Sequence, residues 1–254
     1  MATGSYRSTP RGAWSSRGQP GRAATTAPCH PDVAAGEVDE NAAERRRVPT
    51  TCTGSEAQAD EPVVTIAGER VLLGPPARSQ LPLLERWEND LALSILTGDV
   101  TRPLSREAIE RHFEGLFKPP DDELAFVVYE RATGRPIGLA GLRHINHVHR
   151  TAEFGIGIGE PDCRGKGYGT EATRLVLDYA FTLLGLHNVW LRVFAYNERA
   201  IRSYRRAGFQ EIGRRREAHR VGGRAYDEVL MDCLATELSG SVLERLVPPS
   251  PAGS

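Results

Sequence analysis

Hydrophobic and polar positions follow two rhythms along this chain. Over AEFGIGIG (152–159) they alternate strictly, Phe154, Ile156 and Ile158 against Gly155, Gly157 and Gly159, the period of a strand with one covered face. Over 168–184 the period lengthens: Ala172, Leu175, Val176, Tyr179, Ala180 and Leu183 form one helical stripe. The same two rhythms predict the remaining elements. ERVLLGPP (69–76) is a first strand and SQLPLLERWENDLALSIL (79–96) a helix. SREAIERHFEGLF (105–117) is a second helix, opened by Ser105 with Glu107 in its first turn. ELAFVVYE (123–130) and PIGLAGLRHI (136–145) form a hairpin across the turn RATGR. NVWLRVFA (188–195) is a buried strand, and NERAIRSYRRA (197–207) a short helix capped by Asn197. GFQEIG (208–213) and AYDEVLMDCL (225–234) close the sheet. The order, β-α-α-β-β-β-α-β-α-β-β without internal repeat, predicts one α/β domain over 63–238.

Composition separates this domain from its flanks. Residues 1–62 are rich in Ala, Arg, Ser, Thr, Gly and Pro and show no periodicity, so they bury too little apolar area to offset ordering entropy and read as a disordered extension. Their first 31 residues carry four arginines and no acid, a composition that also suits an organelle transit peptide, although no amphipathic helix accompanies it. Residues 239–254, ending in VPPSPAGS, read as a C-terminal tail. A net charge of −1 gives no general attraction to DNA or a membrane, and no apolar run is long enough to span a bilayer. Cys29, Cys52, Cys163 and Cys233 have no ligand-like spacing and read as free thiols in a reducing, cytoplasmic compartment.

CRGKGYGTEA (163–172) places three glycines at alternate positions between a strand and a helix. Unpaired amides and the helix dipole favour an anion at such a junction, and Arg164 and Lys166 add positive charge, so phosphate is the natural guest. The Walker pattern fails, because Glu160 stands where it needs glycine and Gly167 where it needs Ser or Thr. A dinucleotide fingerprint is met only in relaxed form by Gly167, Gly169 and Ala172, and NVWLRVFA carries no acidic residue to hold a ribose.

The pattern R-x-x-G-x-G, here Arg164, Gly167 and Gly169, followed at the usual distance by NERAIRSYRRAGF, resembles the GNAT superfamily of N-acetyltransferases. The resemblance covers roughly 68–235 and is strongest over 151–210. RWEND (Arg86–Asp90) makes the chain similar to the branch holding ribosomal-protein N-terminal and spermidine acetyltransferases. It implies a mixed, mostly antiparallel central sheet flanked by helices. It also implies acetyl-CoA as co-substrate, with backbone contacts from Ile156, Gly157 and Ile158 to its pantetheine arm. The pyrophosphate would lie on the turn Arg164, Gly165, Lys166, Gly167, Tyr168, Gly169 and Thr170. Asn197 and Arg206 match positions that contact the cofactor in that family, and Tyr204 the one that protonates the departing thiolate.

The residues themselves agree with this reading. Glycine weakens a strand and marks close approach; a thin arm lying along AEFGIGIG accounts for its bare face, a bulge or tight helix crossing being the alternative. Acetyl transfer to an amine needs a proton acceptor, because an ammonium is largely charged at neutral pH. Glu153 shares the glycine face at the end away from the turn and is the leading candidate, with His144, His147 and His149 as rivals. No set of residues completes a metal site. A phenol such as Tyr204 can return a proton to a thiolate, and a backbone N–H from the Ile156–Ile158 stretch can serve an oxyanion. Nothing reads as a covalent nucleophile, so direct transfer in a ternary complex is expected.

The acceptor stays open: a protein N-terminus, a polyamine or an aminoglycoside-like amine, chosen by the helical insert (79–120) and the last hairpin. Arg205, Arg206, Arg214, Arg215, Arg216, Arg220 and Arg224 crowd the domain's end. They read as a solvated sheet edge, or as a surface for an acidic partner. Asp90, Asp99, Asp121, Asp122 and Glu123 could instead draw a polyamine. A second copy of the chain, forming a homodimer, is a further expected partner. The alternative to an enzyme is an acetyl-CoA-binding regulatory module without turnover.

Overall fold

In the computed structural model, which describes residues 62–98 and 102–249, eight strands form one sheet. They are β1 (Ile66–Ala67), β2 (Val71–Gly74), β3 (Leu124–Glu130), β4 (Pro136–Asn146), β5 (Thr151–Ile158), β6 (Asn188–Phe194), β7 (Gln210–Val221) and β8 (Arg224–Leu234). Their order is β1-β2-β3-β4-β5-β6-β8-β7. The β5–β6 pair is parallel and its neighbours antiparallel, so the sheet has the mixed, mostly antiparallel form expected. The extension expected over 1–62 lies, but for its last residue, outside the described residues.

Helices cover both faces. On one, α1 (Leu81–Glu88) and α3 (Arg106–Phe117) bury Leu81, Leu84, Trp87, Ile109 and Phe113 against Val127, Tyr129 and Leu139, with α2 (Leu91–Thr97) alongside. On the other, α4 (Tyr168–Asp178) and α5 (Glu198–Ala207) pack Ala172, Leu175, Val176, Ile201 and Tyr204 on the main core with Phe126, Val128, Leu142 and Phe154. Alternation along β5 sends Phe154 to the α4–α5 side and Glu153 to the α1–α3 side.

Four local differences from the predicted elements have physical causes. The helix expected over 79–96 breaks at Asn89, because the Asp90 carboxylate accepts from the N–H groups of Ala92 and Leu93 (2.9 and 3.3 Å) and starts α2 afresh. The stripe on α4 loses Leu183, which is 46% exposed: a π-helical turn over Tyr179–Leu183 adds a residue and rotates the stripe off the core. Strand β7 runs eight residues beyond the predicted end at Gly213, to Val221, held by pairing with β8 rather than by its own polar sequence. Finally, residues 241–243 fold back on α4. Asp178 accepts from Ser241 Oγ (2.6 Å) and from the N–H groups of Val242 and Leu243 (2.8 and 3.1 Å), and Leu243 is buried.

Candidate active site

The glycine turn has the geometry its sequence demands. Gly165 and Gly167 sit at φ +82° and +87°, a left-handed conformation that costs other L-residues about 1–2 kcal/mol. Gly167 is the residue from which α4 starts, and no side chain caps that end. The first-turn N–H groups of Tyr168, Gly169 and Thr170 have no intrahelical acceptor by helix construction. Gly169 and Thr170 line a cavity of about 580 Å³, together with Gly165 and Gly167. Thr170 Oγ1 bonds Ser203 Oγ at 2.7 Å, tying α4 to α5.

Of the side chains in this turn, Arg164 lines the cavity but is engaged by its neighbours, and Tyr168 and Lys166 do not line it. The Arg164 guanidinium donates to the carbonyls of Ile158 (2.9 Å) and Gly159 (2.8 Å) and pairs with Asp90. Strand-end carbonyls and a carboxylate outcompete a solvated position, so Arg164 braces the turn. Tyr168 donates its hydroxyl to Glu130 (2.6 Å), and Lys166 is exposed; neither lines the cavity.

RWEND acquires a structural meaning here. Trp87 Nε1 donates to Glu160 (2.8 Å), Arg86 pairs with the same carboxylate, and Asp90 holds Arg164. The insert is thereby fastened to the end of β5 and to the turn. Trp87 also explains one glycine of the bare face: a Cβ on Gly159 would lie 2.2 Å from its ring. At that position the tight helix crossing, not a ligand arm, requires glycine.

The opening for an extended ligand lies at the edge of β5 instead. Pairing of β5 with β6 covers only Thr151 to Glu153 against Asn188 to Trp190. Beyond, β5 stays on β4 and β6 stays on β8 to Phe194, so the two strands part. Ile156, Gly157 and Ile158 line the cavity at that gap, with backbone groups on the parted edge that β6 does not engage. Asn197 lines it too, its side chain capping α5 at Ala200 N–H (3.2 Å) and donating to the Leu96 carbonyl (3.3 Å). Arg206, with Arg199 and Arg202, lines the cavity from α5.

Tyr204 and Glu153 meet the same cavity from opposite faces of the sheet. Tyr204 is 9% exposed and packs edge-on to Phe154 and Phe209. Burial pushes its phenol up to about 12, so it stays protonated across the neutral range. Glu153 is 3% exposed. Its Oε1 accepts from Arg143 and Arg192 (both 3.0 Å), and its Oε2 lies 3.1 Å from His144 Nδ1. A register shift between Arg143 and Asn146 and a left-handed His144 (φ +51°) turn that ring onto the carboxylate. His144 does not line the cavity and its side chain is 54% exposed. His147 and His149 lie in the exposed turn beyond and do not reach the cavity.

Sequence reasoning singled out Glu153 and Arg215 but missed Arg143, Arg192 and Glu228, which link them. Arg143, Glu153, Arg192, Glu228 and Arg215 form a row of alternating charge across β4, β5, β6, β8 and β7. The signal that could have found them is the buried-type strand position held by a charged residue: Glu228, 6% exposed, stands directly before the apolar run Val229–Met231 of β8. Phe194, with His219 stacked 4.0 Å above it, and Leu93, Leu96 and Thr97 of α2 complete the wall.

Comparison with known proteins agrees with this fold. A family model described as an acetyltransferase (GNAT) domain matches residues 70–210, more than half of the chain. The chain is 47% identical over 91 residues to a spermidine N(1)-acetyltransferase of Escherichia coli, covering 36% of this chain and 47% of that protein. It spans about half the length of that relative. To the human alpha/beta-tubulin-N-acetyltransferase 9 it is 40% identical over 159 residues, covering 58% of this chain and 75% of that protein. The crystal structure of spermidine N-acetyltransferase from Vibrio cholerae in complex with CoA and spermine superposes with a TM-score of 0.62 at 29% identity, covering 68% of this chain and all of that one.

Proposed function

This chain belongs to the GNAT acetyltransferase family, and on that premise we propose that it transfers an acetyl group from acetyl-CoA directly to a primary amine in a ternary complex. The observation that carries the proposal is the coincidence of three features in one cavity: the amide-lined turn, the parted edge of β5, and the pair Tyr204 and Glu153. The residues suit the co-substrate. Turn amides and the α4 terminus take the pyrophosphate, and the parted edge takes the pantetheine arm as a pseudo-strand. Arginines 199, 202 and 206 face the remaining phosphate.

Each chain residue has a distinct task. Glu153 accepts the proton of the incoming ammonium and His144, half outside, passes it to solvent; the 3.1 Å contact joins the two. An N–H group of the Ile156–Ile158 edge receives the developing oxyanion. Tyr204 donates its proton to the departing thiolate and is reprotonated by the second proton that the attacking nitrogen sheds on becoming an amide. A binding module without turnover needs the turn and the edge but has no use for the Tyr204 and Glu153–His144 groups. With Cys163 and Cys233 as free thiols, we assign the protein to the cytoplasm; no helix among the described residues is long and apolar enough to cross a membrane.

Thiol release from acetyl-CoA against spermidine, an aminoglycoside and peptides with free N-termini tests this. Tyr204→Phe should lower the rate about a hundredfold or more with CoA affinity retained. His144→Ala should slow turnover while leaving CoA binding unchanged. Tight CoA binding with no thiol release from any amine would sink the enzymatic reading.

A further inference from the structure

We propose that the acceptor is an amine with carboxylates close beside it, as in the N-terminus of an acidic peptide, rather than a polyamine. This rests on the acetyl-transfer reading and narrows its acceptor. The wall around Glu153 offers three guanidinium groups, Arg143, Arg192 and Arg215, against two carboxylates, Glu153 and Glu228. Both carboxylates are spent within the row. Glu153 is held by two arginines and an imidazole, and Glu228 by Arg192 at 3.6 Å and Arg215 at 2.5 Å. A polycation entering here finds no carboxylate that is not already shared, and a net positive wall.

The acidic residues that could have drawn a polyamine do not serve this cavity. Asp90 caps α2 and pairs with Arg164. Asp121, Asp122 and Glu123 do not line the cavity, and Asp99 lies outside the described residues. By contrast Arg215, at the outer end of the row, is half exposed and makes one bond, to Glu228. A guanidinium has five N–H donors, so Arg215, which also lines the cavity, keeps donors for a second anion. An amine carrying a carboxylate a residue or two away can therefore place its nitrogen near Glu153 and its anion on Arg215.

Calorimetry on the full chain saturated with CoA separates this inference from the enzymatic reading. The probes are a peptide with free Ala followed by aspartates, the same peptide with lysines, and spermidine. The aspartate peptide should bind about tenfold tighter than either cation and weaken as salt rises. Arg215→Gln should lose about tenfold of that affinity and Arg215→Lys recover most of it. Spermidine or the lysine peptide binding as tightly as the aspartate peptide, or no peptide binding at all, overturns the inference. Charge-ordered binding without thiol release supports it and overturns only the enzymatic reading.

Discussion

Replacing Glu153 by glutamine keeps the shape of the side chain and removes the charge on which the five-strand row turns. Its carboxylate is 3% exposed and receives both Arg143, whose side chain is 10% exposed, and Arg192, at 34%. Removing one partner of a buried pair costs about 3–5 kcal/mol, because the other charge stays behind. Here Arg192 keeps Glu228 and some contact with water, so the lower end applies, about 3 kcal/mol. A domain of this size loses about 2–4 °C per kcal/mol, so melting should fall by about 6–12 °C. Urea and thermal denaturation of Glu153→Gln, followed by circular dichroism, measure this directly. The pair Glu153→Gln and Arg143→Met then forms a double-mutant cycle, which should return a coupling of about 1–3 kcal/mol. A single-variant shift under about 2 °C, or strict additivity in the cycle, would refute the view that the row is a coupled unit.

Three further outcomes follow from particular positions. Gly159→Ala should destabilise by about 1–3 kcal/mol in urea titration, since its Cβ meets the buried Trp87 ring, whereas Gly213→Ala, with nothing within 4 Å, should not. Gly167→Ala forces a side chain to φ +87° at the start of α4 and should weaken CoA binding about tenfold by calorimetry; undiminished affinity would remove the turn from the site. An unfolded tyrosine loses its proton near pH 10 and Tyr204 near 12, so the folded state binds more protons between these values and stability falls as pH rises through them. Tyr204→Phe should recover about 2–3 kcal/mol of that loss at pH 12; Tyr196, raised to about 12, and Cys233, to about 11, keep their own shares, and identical alkaline curves for variant and parent would contradict the burial of this phenol.

What could be read from the chain was what neighbours in sequence decide. The turn 163–170, the α4 stripe and the Asn197 cap are local patterns, and all appear in place but for Leu183 of the stripe. Even the break at Asn89 was written locally, as an aspartate at an N-cap position inside a helical period. The row of charge was not. Arg143 and Glu153 come together because β4 pairs β5, but Arg192, Glu228 and Arg215 join only through the order β5-β6-β8-β7, which periodicity does not encode. The same limit hid the partner of the glycine face: Trp87 is 72 positions from Gly159, and only packing of α1 on the sheet brings them together. Arg164 was legible as a charge near a phosphate turn, but its capture by strand-end carbonyls depends on where β5 stops.

The parting of β5 from β6 has a consequence for how the molecule lives among other proteins. An unpaired strand edge is normally a hazard, a template on which foreign strands can grow. Here that edge is interior: β4 and β8 flank it in the sheet, and α2 and α5 stand over it. A second sheet is too wide to reach it, so only a single extended thread can hydrogen-bond there. On the proposed function the gap acts as a width filter, converting a feature that elsewhere invites aggregation into selectivity for a slender, linear guest. Strands that ran in register to their ends would be safer still, and would leave nothing to select.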